Sequence, residues 1–210
     1  LNLYMDGVWH HFLSEKDGNV VLAVAQDSNG DVWAGGFGMG LYRIDKKSGK
    51  IRRISDSPLQ YIYHIYPENG RVWFGGLEGD FCSFDQESGD WSRYKADCIG
   101  DIWPSSSADA LYVAGCSGFG IFDKKEGRFR WRKEFDGFTL KYPVRALFRT
   151  SEGTIWMATD GDGLVHFDPS DGSSIRFTTE NGLPSDAIIS VHEDLERRIW
   201  FTTEEGIFWL

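Results

Sequence analysis

Short apolar stretches rich in β-branched and aromatic residues recur along the chain, separated by polar turns that contain glycine. One such stretch is Val20–Val24, which is followed by the turn Asp27–Asp31 and then by a second apolar stretch that begins at Val32. Apolar stretches of this length between Gly, Asn and Asp residues are typical of β-strands joined in hairpins. The pattern therefore predicts an all-β protein.

A bulky aromatic residue follows each of these turns at a nearly constant interval. The successive intervals are 40, 39, 44 and 44 residues. The structural anchors defined in this way are Trp33, Trp73, Tyr112, Trp156 and Trp200. A chain that aligns to itself at a fixed period of this length is built from repeated supersecondary units, here about five.

Each repeat continues with small residues after the anchor, a third strand that begins at glycine, and a more polar fourth strand. A single four-stranded sheet cannot bury both of its faces, so neighbouring units must stack, and in a propeller they stack around an axis. We predict an all-β fold, a β-propeller of four-stranded antiparallel blades, with residues 1–210 as a single propeller domain or a propeller fragment. A linear β-solenoid is the alternative. The predicted repeat units are 19–55, 60–96, 98–135, 142–179 and 186–210, with 1–13 as an outer strand.

The two ends of the chain bear on the number of blades. The fifth repeat reaches Leu210 after its third strand, and the segment Gly7–Phe12 resembles the outer strands of the other repeats. Pairing of these ends would complete a closed five-bladed ring and remove the open sheet edges. The alternative is that the repeats are part of a larger propeller.

Composition and charge limit the partners. The chain has 25 Gly, 15 Phe, 9 Trp and 8 Tyr, as expected for many short strands joined by tight turns, and a formal charge of −10. Phosphate backbones and anionic membranes attract basic surfaces, so the charge argues against a nucleic acid or a membrane surface as partner. No apolar run approaches the roughly 20 residues of a membrane span, so we expect no direct membrane contact in this segment.

The repeat resembles that of the two-component regulator propeller family. The resemblance rests on Gln26–Gly36, on Gly40–Asp45 and on the junction Asn181–Ile188, which is similar to the family's link into the next blade. It implies a periplasmic sensor region of a membrane-bound hybrid histidine kinase of the Bacteroidetes type, in which many members detect carbohydrate fragments. Members typically have seven-bladed propellers, often two in tandem, which favours a fragment over a closed five-bladed ring.

Under this resemblance we expect a non-catalytic ligand-sensing propeller. The expected partners are an oligosaccharide or other small ligand, and a neighbouring propeller or subunit of the same sensor. Any kinase activity would reside elsewhere in the parent protein. The alternatives are a propeller enzyme that acts on glycans, as a lyase or glycosidase, and a platform for protein binding or dimerisation.

Catalytic and metal motifs are weak in this sequence. The histidines His10, His11, His64, His166 and His192 show no metal-binding spacing. The glycine run Gly35–Gly40 is not followed by a helix, so it lacks the N-terminus that binds phosphate. The turn Asp160–Gly163 could hold a hard cation or be an acidic turn. We therefore predict no catalytic residue, metal or cofactor.

The cysteines allow one disulfide. Cys98 and Cys116 fall at the open end of one predicted hairpin, where antiparallel pairing could bring them within disulfide reach. A bridge would support an oxidising compartment. The alternative is two small buried residues, with Cys82 free in either case.

Ligand binding is expected where loops meet. In propellers the loops between second and third strands, and those from an outer strand to the next blade, gather at one end of the central channel. Aromatic faces beside carboxylates suit sugar recognition, although the aromatic residues could instead plug the channel. The candidates are Phe37, Met39, Tyr61, Glu78, Trp103, Phe119, Tyr142, Asp160, Asp162, Glu204 and Glu205.

Overall fold

The structure is a computed structural model that describes residues 2–5, 8–11, 20–54, 56–76 and 79–210. The secondary structure of these residues consists of antiparallel strands and one short 3₁₀ helix, Thr179–Asn181. The predicted fold class is confirmed: the protein is all-β, a β-propeller built from antiparallel blades. The chain divides into two compact units, Leu1–Ala96 and Asp97–Leu210.

The first unit contains a hairpin and two blades. The hairpin is formed by β1 (Asn2–Met5) and β2 (Val8–His11). Blade one consists of β3 (Val20–Gln26), β4 (Val32–Phe37), β5 (Gly40–Ile44) and β6 (Ile51–Arg53). Blade two consists of β7 (His64–Glu68), β8 (Arg71–Gly75), β9 (Asp80–Asp85) and β10 (Trp91–Lys95). In each blade the four strands pair in chain order.

The second unit contains three blades and another hairpin. Blade three consists of β11 (Ile99–Pro104), β12 (Ala110–Gly115), β13 (Gly118–Asp123) and β14 (Arg128–Arg132). The hairpin is β15 (Glu134–Phe135) and β16 (Phe138–Thr139). Blade four consists of β17 (Val144–Arg149), β18 (Ile155–Thr159), β19 (Leu164–Phe167) and β20 (Ser174–Phe177). Blade five consists of β21 (Ser190–Glu193), β22 (Ile199–Thr203) and β23 (Gly206–Trp209).

The N-terminal hairpin bears on the predicted outer strand. Strand β2 pairs with β1, with Leu3 opposite His10. Within the described residues, β23 of blade five has β22 as its one strand neighbour. That residues 1–13 supply an outer strand to the last repeat, and the total number of blades, stay predictions.

The recurring aromatic residues occupy equivalent positions in all blades. Each lies near the start of the second strand and stands opposite a residue of the first strand. The pairs are Trp33 with Ala25, Trp73 with Tyr66, Tyr112 with Trp103, Trp156 with Phe148 and Trp200 with His192. A common register at near-constant intervals is what a repeated blade requires.

Small residues after the anchors allow the backbones to approach closely. A Cβ atom on Gly36 would lie 1.8 Å from the carbonyl oxygen of Val20, and one on Gly115 would lie 2.1 Å from that of Cys98. Such distances exclude any side chain. Glycine is therefore needed at these two positions because the first strand of the same blade runs directly against them.

Each unit buries its own apolar core between neighbouring blades. The core of the first unit joins blades one and two through Trp33, Leu41, Ile62, Ile65 and Phe74, among others. The second unit has one core between blades three and four and another between blades four and five. They include Tyr112, Phe119, Leu147, Met157 and Phe167, and Trp156, Leu164, Ile188, Val191 and Phe201, respectively.

The hairpin β15–β16 was not expected from the sequence. It lies between blades three and four, and the predicted unit 98–135 ends inside it. Phe135 of this hairpin is buried, stacks on Phe138 at 5.4 Å and meets Phe167 of blade four edge-on at 5.6 Å. The insertion contributes to the longer interval of 44 residues between the third and fourth anchors.

Candidate functional site

A polar cavity of about 240 Å³ lies in the second unit where three loops of blades four and five meet. One loop joins β18 to β19, one segment precedes β17, and the third links β20 to blade five. The lining residues are Lys141, Tyr142, Gly161, Asp162, Arg176, Thr178, Thr179, Glu180 and Asp186. These loops are of the two kinds from which the sequence predicts a ligand surface.

Asp162 is the one buried residue among those that line this cavity. Its side chain is buried, and its Oδ2 atom accepts hydrogen bonds from the backbone N–H groups of Lys141 at 2.6 Å and Tyr142 at 2.8 Å. Its Oδ1 atom lies 3.7 Å from the guanidinium of Arg176. Its own N–H donates to Thr159 Oγ1 at 2.8 Å. The carboxylate therefore fixes the segment before β17 against the β18–β19 loop.

Tyr142 offers an aromatic surface beside this carboxylate. A Cβ atom on Gly161 would lie 3.0 Å from the ring of Tyr142, so the ring rests against the glycine backbone. The side chain of Tyr142 is nevertheless about half exposed, at 50%. An aromatic ring supported on one side and open on the other can stack on the apolar C–H face of a sugar.

Hydrogen bonds of Asp186 hold the third loop, which links β20 to blade five, at this cavity. Its two carboxylate oxygens accept hydrogen bonds from the N–H and the hydroxyl of Thr179, at 2.7 and 3.0 Å. Its carbonyl oxygen accepts the N–H of Gly163 at 2.8 Å. The cavity thus combines acidic, basic and hydroxyl groups around one aromatic ring, and most of its backbone is held by hydrogen bonds.

Asp160 lies next to the cavity but its carboxylate has another partner. It forms an ion pair with Arg145 at 2.5 Å, and its backbone bridges to Ala187 of the third loop. The carboxylates of Asp160 and Asp162 therefore engage separate cations. Among the described residues, no group of three or more His, Cys, Asp and Glu side chains is placed to hold a metal ion.

The other sequence candidates lie in several places. Phe37 and Tyr61 contact each other in the first unit, with ring centroids 4.5 Å apart, and Phe37 is half exposed. Met39 and Phe119 are only 1% exposed, so they pack in the interior instead of presenting a surface to a ligand. Glu204 and Glu205 are exposed in the turn between β22 and β23. Glu78 lies outside the described residues.

Trp103 connects blades within the second unit. Its ring meets Phe148 at 5.1 Å, and its Nε1 atom donates to Asp101 Oδ2 at 3.3 Å. The same Oδ2 atom accepts the N–H of Leu147 at 2.7 Å, which joins blade three to blade four. These contacts give Trp103 a packing role.

Several cavity residues were missed by sequence reasoning. They are Lys141, Arg176, Thr178, Thr179, Glu180 and Asp186. Asp186 lies within the junction Asn181–Ile188 that carries the family resemblance, so that motif was the available signal. Arg176 lies on the outer strand β20, and only the folded blade brings it to Asp162.

Two histidines of the second unit lie outside the cavity. His166 packs on Trp156 at 4.7 Å, and burial lowers the pKa of its imidazole, so the neutral form is favoured. His192 packs edge-on against Phe148 at 4.5 Å. Both therefore have aromatic packing partners within their blades.

The first repeat matches a known family. Residues 14–38 match the family model of the two component regulator propeller. This confirms the resemblance that the sequence motifs indicated. No curated protein sequence matches this chain significantly.

Solved structures similar to this chain include the extracellular domain of a two component system, an enzyme and a component of a secretion system. The extracellular domain of a hybrid two component system from B. thetaiotaomicron shares 17% identity with a TM-score of 0.74, over 91% of this chain and 28% of that one. A virginiamycin B lyase from Staphylococcus aureus shares 17% identity with a TM-score of 0.75, over 99% of this chain and 75% of that one. PorZ, a surface component of the type-IX secretion system of Porphyromonas gingivalis, shares 16% identity with a TM-score of 0.71, over 90% of this chain and 32% of that one.

At these identities the similarity shows the fold. The chain spans less than a third of the hybrid two component system's extracellular domain. None of the helices in the described part of the chain has the length and apolar character needed to cross a membrane.

Proposed function

We propose that this chain is a non-catalytic, ligand-sensing propeller from the periplasmic region of a two-component regulator, and that its ligand is a small carbohydrate. The family match of the first repeat supports the sensor assignment. The similarity to the extracellular domain of a hybrid two component system supports the extracytoplasmic location. The observation that carries the ligand class is the cavity around Tyr142.

Carbohydrates need two kinds of contact. Their C–H faces stack on aromatic rings, and their hydroxyl groups both donate and accept hydrogen bonds. The half-exposed ring of Tyr142 supplies the first kind. The exposed carboxylate of Glu180, together with the ammonium of Lys141 and the hydroxyl of Thr178, supplies acceptors and donors for the second.

The direct test is calorimetric titration of the protein with a panel of neutral oligosaccharides. We expect Tyr142→Ala to weaken the binding of the best ligand about tenfold, as the loss of one stacking contact would. Leu195→Ala is the control, because Leu195 is 99% exposed and lies outside the cavity. Equal affinities of Tyr142→Ala and the parent protein would contradict this location of the site.

An enzyme is the second candidate, since the similar structures include a virginiamycin B lyase. Each oligosaccharide that binds is therefore incubated with the protein and its products are separated by chromatography. Binding without turnover supports the sensor. Turnover that is proportional to protein concentration would overturn it in favour of a glycan-cleaving propeller.

The same proposal includes the output of the sensor. Because the expected partners are a neighbouring propeller or subunit, ligand binding would act through altered packing between them and not through covalent chemistry. Light scattering with and without the bound oligosaccharide measures this effect. An unchanged mass, together with identical packing in crystals with and without the ligand, would contradict it.

A further inference from the structure

The two faces of a blade have different neighbours in this fold. One face carries the anchor residue, and we call it the trailing face because, within each unit, it packs on the next blade in chain order. The opposite face, the leading face, packs on the preceding blade. Trp33 of blade one thus shares a core with Phe74 of blade two, and Trp156 of blade four shares one with Phe201 of blade five. An interface between blades is therefore one trailing face against one leading face.

One position of the third strand shows how well each trailing face is covered. It is the residue two places before the one that stands opposite the anchor. In blades one to four this residue is 0% or 1% exposed, whereas in blade five it is Ile207, which is 69% exposed. The trailing face of blade five is therefore uncovered at this position. The four buried equivalents are Leu41, Phe81, Phe119 and Leu164.

A second large apolar side chain on the same face is also exposed. Trp209 stands opposite Trp200 with the ring centroids 6.5 Å apart, and it is 59% exposed. Terminal repeats of stacked-repeat proteins need a polar outer face to stay soluble. An isoleucine and two tryptophans do not form such a face, and an exposed apolar patch of this kind marks a site of protein association.

The leading face of blade one is exposed at the corresponding place. The relevant residue of the first strand is the one before the residue that stands opposite the anchor. In blade one it is Val24, which is 54% exposed, and the alternate residues Val20 and Leu22 of β3 are 52% and 43% exposed. In the other blades the equivalent residue is apolar and buried. These residues are Ile65, Ile102, Leu147 and Val191.

Inside each unit these two positions belong to one core. The third-strand residue of a trailing face and the first-strand residue of the next leading face are buried together wherever a core joins two blades. The pairs are Leu41 with Ile65, Phe119 with Leu147, and Leu164 with Val191. Ile207 and Val24 therefore lie on the two halves of a kind of interface that the chain already forms between its own blades.

We infer that the trailing face of blade five packs on the leading face of blade one of a second copy, so that the protein associates head to tail. Ile207 and Trp209 of one copy cover Val24 of the next. Such an interface is heterologous, because it joins two different surfaces, and it adds copies in one direction until a ring closes or a filament grows. The inference concerns the protein without ligand, so it does not depend on the carbohydrate proposed for the cavity around Tyr142.

Sedimentation velocity of the protein without ligand tests the association. We expect the average mass to rise above that of one chain as the protein concentration increases from about 1 to about 200 µM, a range that detects micromolar dissociation constants. The mass of a single chain throughout this range would overturn the inference. Because no carbohydrate is present, failure of the ligand proposal would leave this result unchanged, and the reverse also holds.

Two single variants each disable one of the two faces. Ile207→Asp and Val24→Asp place an unpaired carboxylate in an apolar interface, so each should weaken self-association at least about tenfold. Ile175→Asp is the matched control, because it makes the same kind of change at a 56% exposed side chain of β20, and it should alter the association less than about twofold. Leu22→Asp repeats the test of the leading face if Val24→Asp lowers the melting temperature.

Equimolar mixing of Ile207→Asp and Val24→Asp tests the head-to-tail arrangement. Each variant keeps the face that the other has lost, so the mixture should form a complex of two chains and nothing larger, although neither variant associates alone. Absence of this complex would overturn the inference. Self-association of Val24→Asp as strong as that of the parent would indicate contact between two trailing faces and would also overturn it. An equal loss in Ile175→Asp would assign the effect to added charge, with the same consequence.

Discussion

At the scale of single residues, the same pattern of hydrogen bonds to an aspartate recurs in the turn before two of the anchors. In blade one, Asp27 accepts the indole N–H of Trp33 at 2.9 Å with one oxygen and the N–H groups of Asn29 and Asp31 with the other. In blade five, Asp194 makes the equivalent contacts with Trp200, Glu196 and Arg198. The carboxylate thus fixes both the hairpin turn and the orientation of the indole.

In the same two blades, an arginine lies over the indole ring of the anchor tryptophan. The guanidinium carbon of Arg43 lies 5.3 Å from the ring centroid of Trp33, and that of Arg198 lies 5.6 Å from that of Trp200. Arg43 reaches this position because it stands opposite Trp33 on the third strand. Cation–π contacts of this kind stabilise partly exposed sites modestly, by about 0.5–1 kcal/mol.

Asp27→Ala tests the contribution of the turn carboxylate. Because Trp33 is fully buried, its indole N–H would lose its acceptor without gaining water. We expect the free energy of unfolding to fall by about 1–3 kcal/mol, measured by urea denaturation. Asp168→Ala, which removes an exposed turn contact to Ser170, should cost less than about 1 kcal/mol. Equal losses in the two variants would contradict a special role of the buried indole.

The hydrogen bonds of Asp194 make the stability of the folded protein depend on pH. Partial removal from water raises the pKa of this carboxyl, but the hydrogen bonds from Trp200 and Arg198, with the charge of Arg198, outweigh it and lower the pKa from 3.8 to about 2. A carboxyl with a lowered pKa in the folded state stabilises the protein above its unfolded pKa. That stabilisation is lost as the pH falls from about 4 to about 2.

Asp194→Asn isolates this effect. The difference in urea midpoint between the parent protein and the variant should be largest above pH 4 and should shrink as the pH approaches 2. Other carboxyls titrate in both proteins, so the difference removes their contribution. A constant difference from pH 2 to pH 6 would show that the charge of Asp194 does not contribute to stability.

At the scale of elements, the disulfide holds the first strand of blade three to the second. Cys98 precedes β11 and Cys116 follows β12, and their Cα atoms lie 5.3 Å apart. The backbone N–H of Cys116 also donates to the carbonyl oxygen of Cys98 at 3.3 Å. The bridge therefore reinforces a hairpin end that is already paired.

Reduction of this bridge should destabilise the protein. The cross-link closes a loop with a sequence separation of 18 residues, for which the expected loss is about 3 kcal/mol in the free energy of unfolding. Urea denaturation with and without a thiol reductant measures it. The double variant Cys98→Ala/Cys116→Ala should begin at the lower stability and should not respond to reductant. A response in that variant would assign the effect to another group.

At the scale of the whole molecule, the division into two units has a testable consequence. The two apolar cores that join blades three, four and five lie entirely within Asp97–Leu210. We therefore expect residues 97–210 alone to fold cooperatively, as measured by near-ultraviolet circular dichroism and urea denaturation. The control fragment 97–150 lacks β18–β23 and should give no cooperative transition. Similar behaviour of the two fragments would contradict the assignment of these cores.

The repeat made the fold predictable. The spacing of the anchors and the turn residues around them are local in sequence, so they indicated the strands, the blade unit and the position of Trp33, Trp73, Trp156 and Trp200. The irregular parts of the fold were harder to predict from the sequence. The hairpin β15–β16 has two-residue strands, which are too short to give a pattern, and the interiors that enclose Met39 and Phe119 depend on neighbouring strands.

The sequence by itself determined the class of fold, the family of the repeat and the kind of loops that surround the cavity. Only the tertiary structure decided which side chains converge, as when Arg176 of an outer strand meets Asp162 of a loop. The physical reason is that strand pairing follows a local pattern of side chains. Convergence at a site, in contrast, depends on distances between residues that lie far apart in the chain.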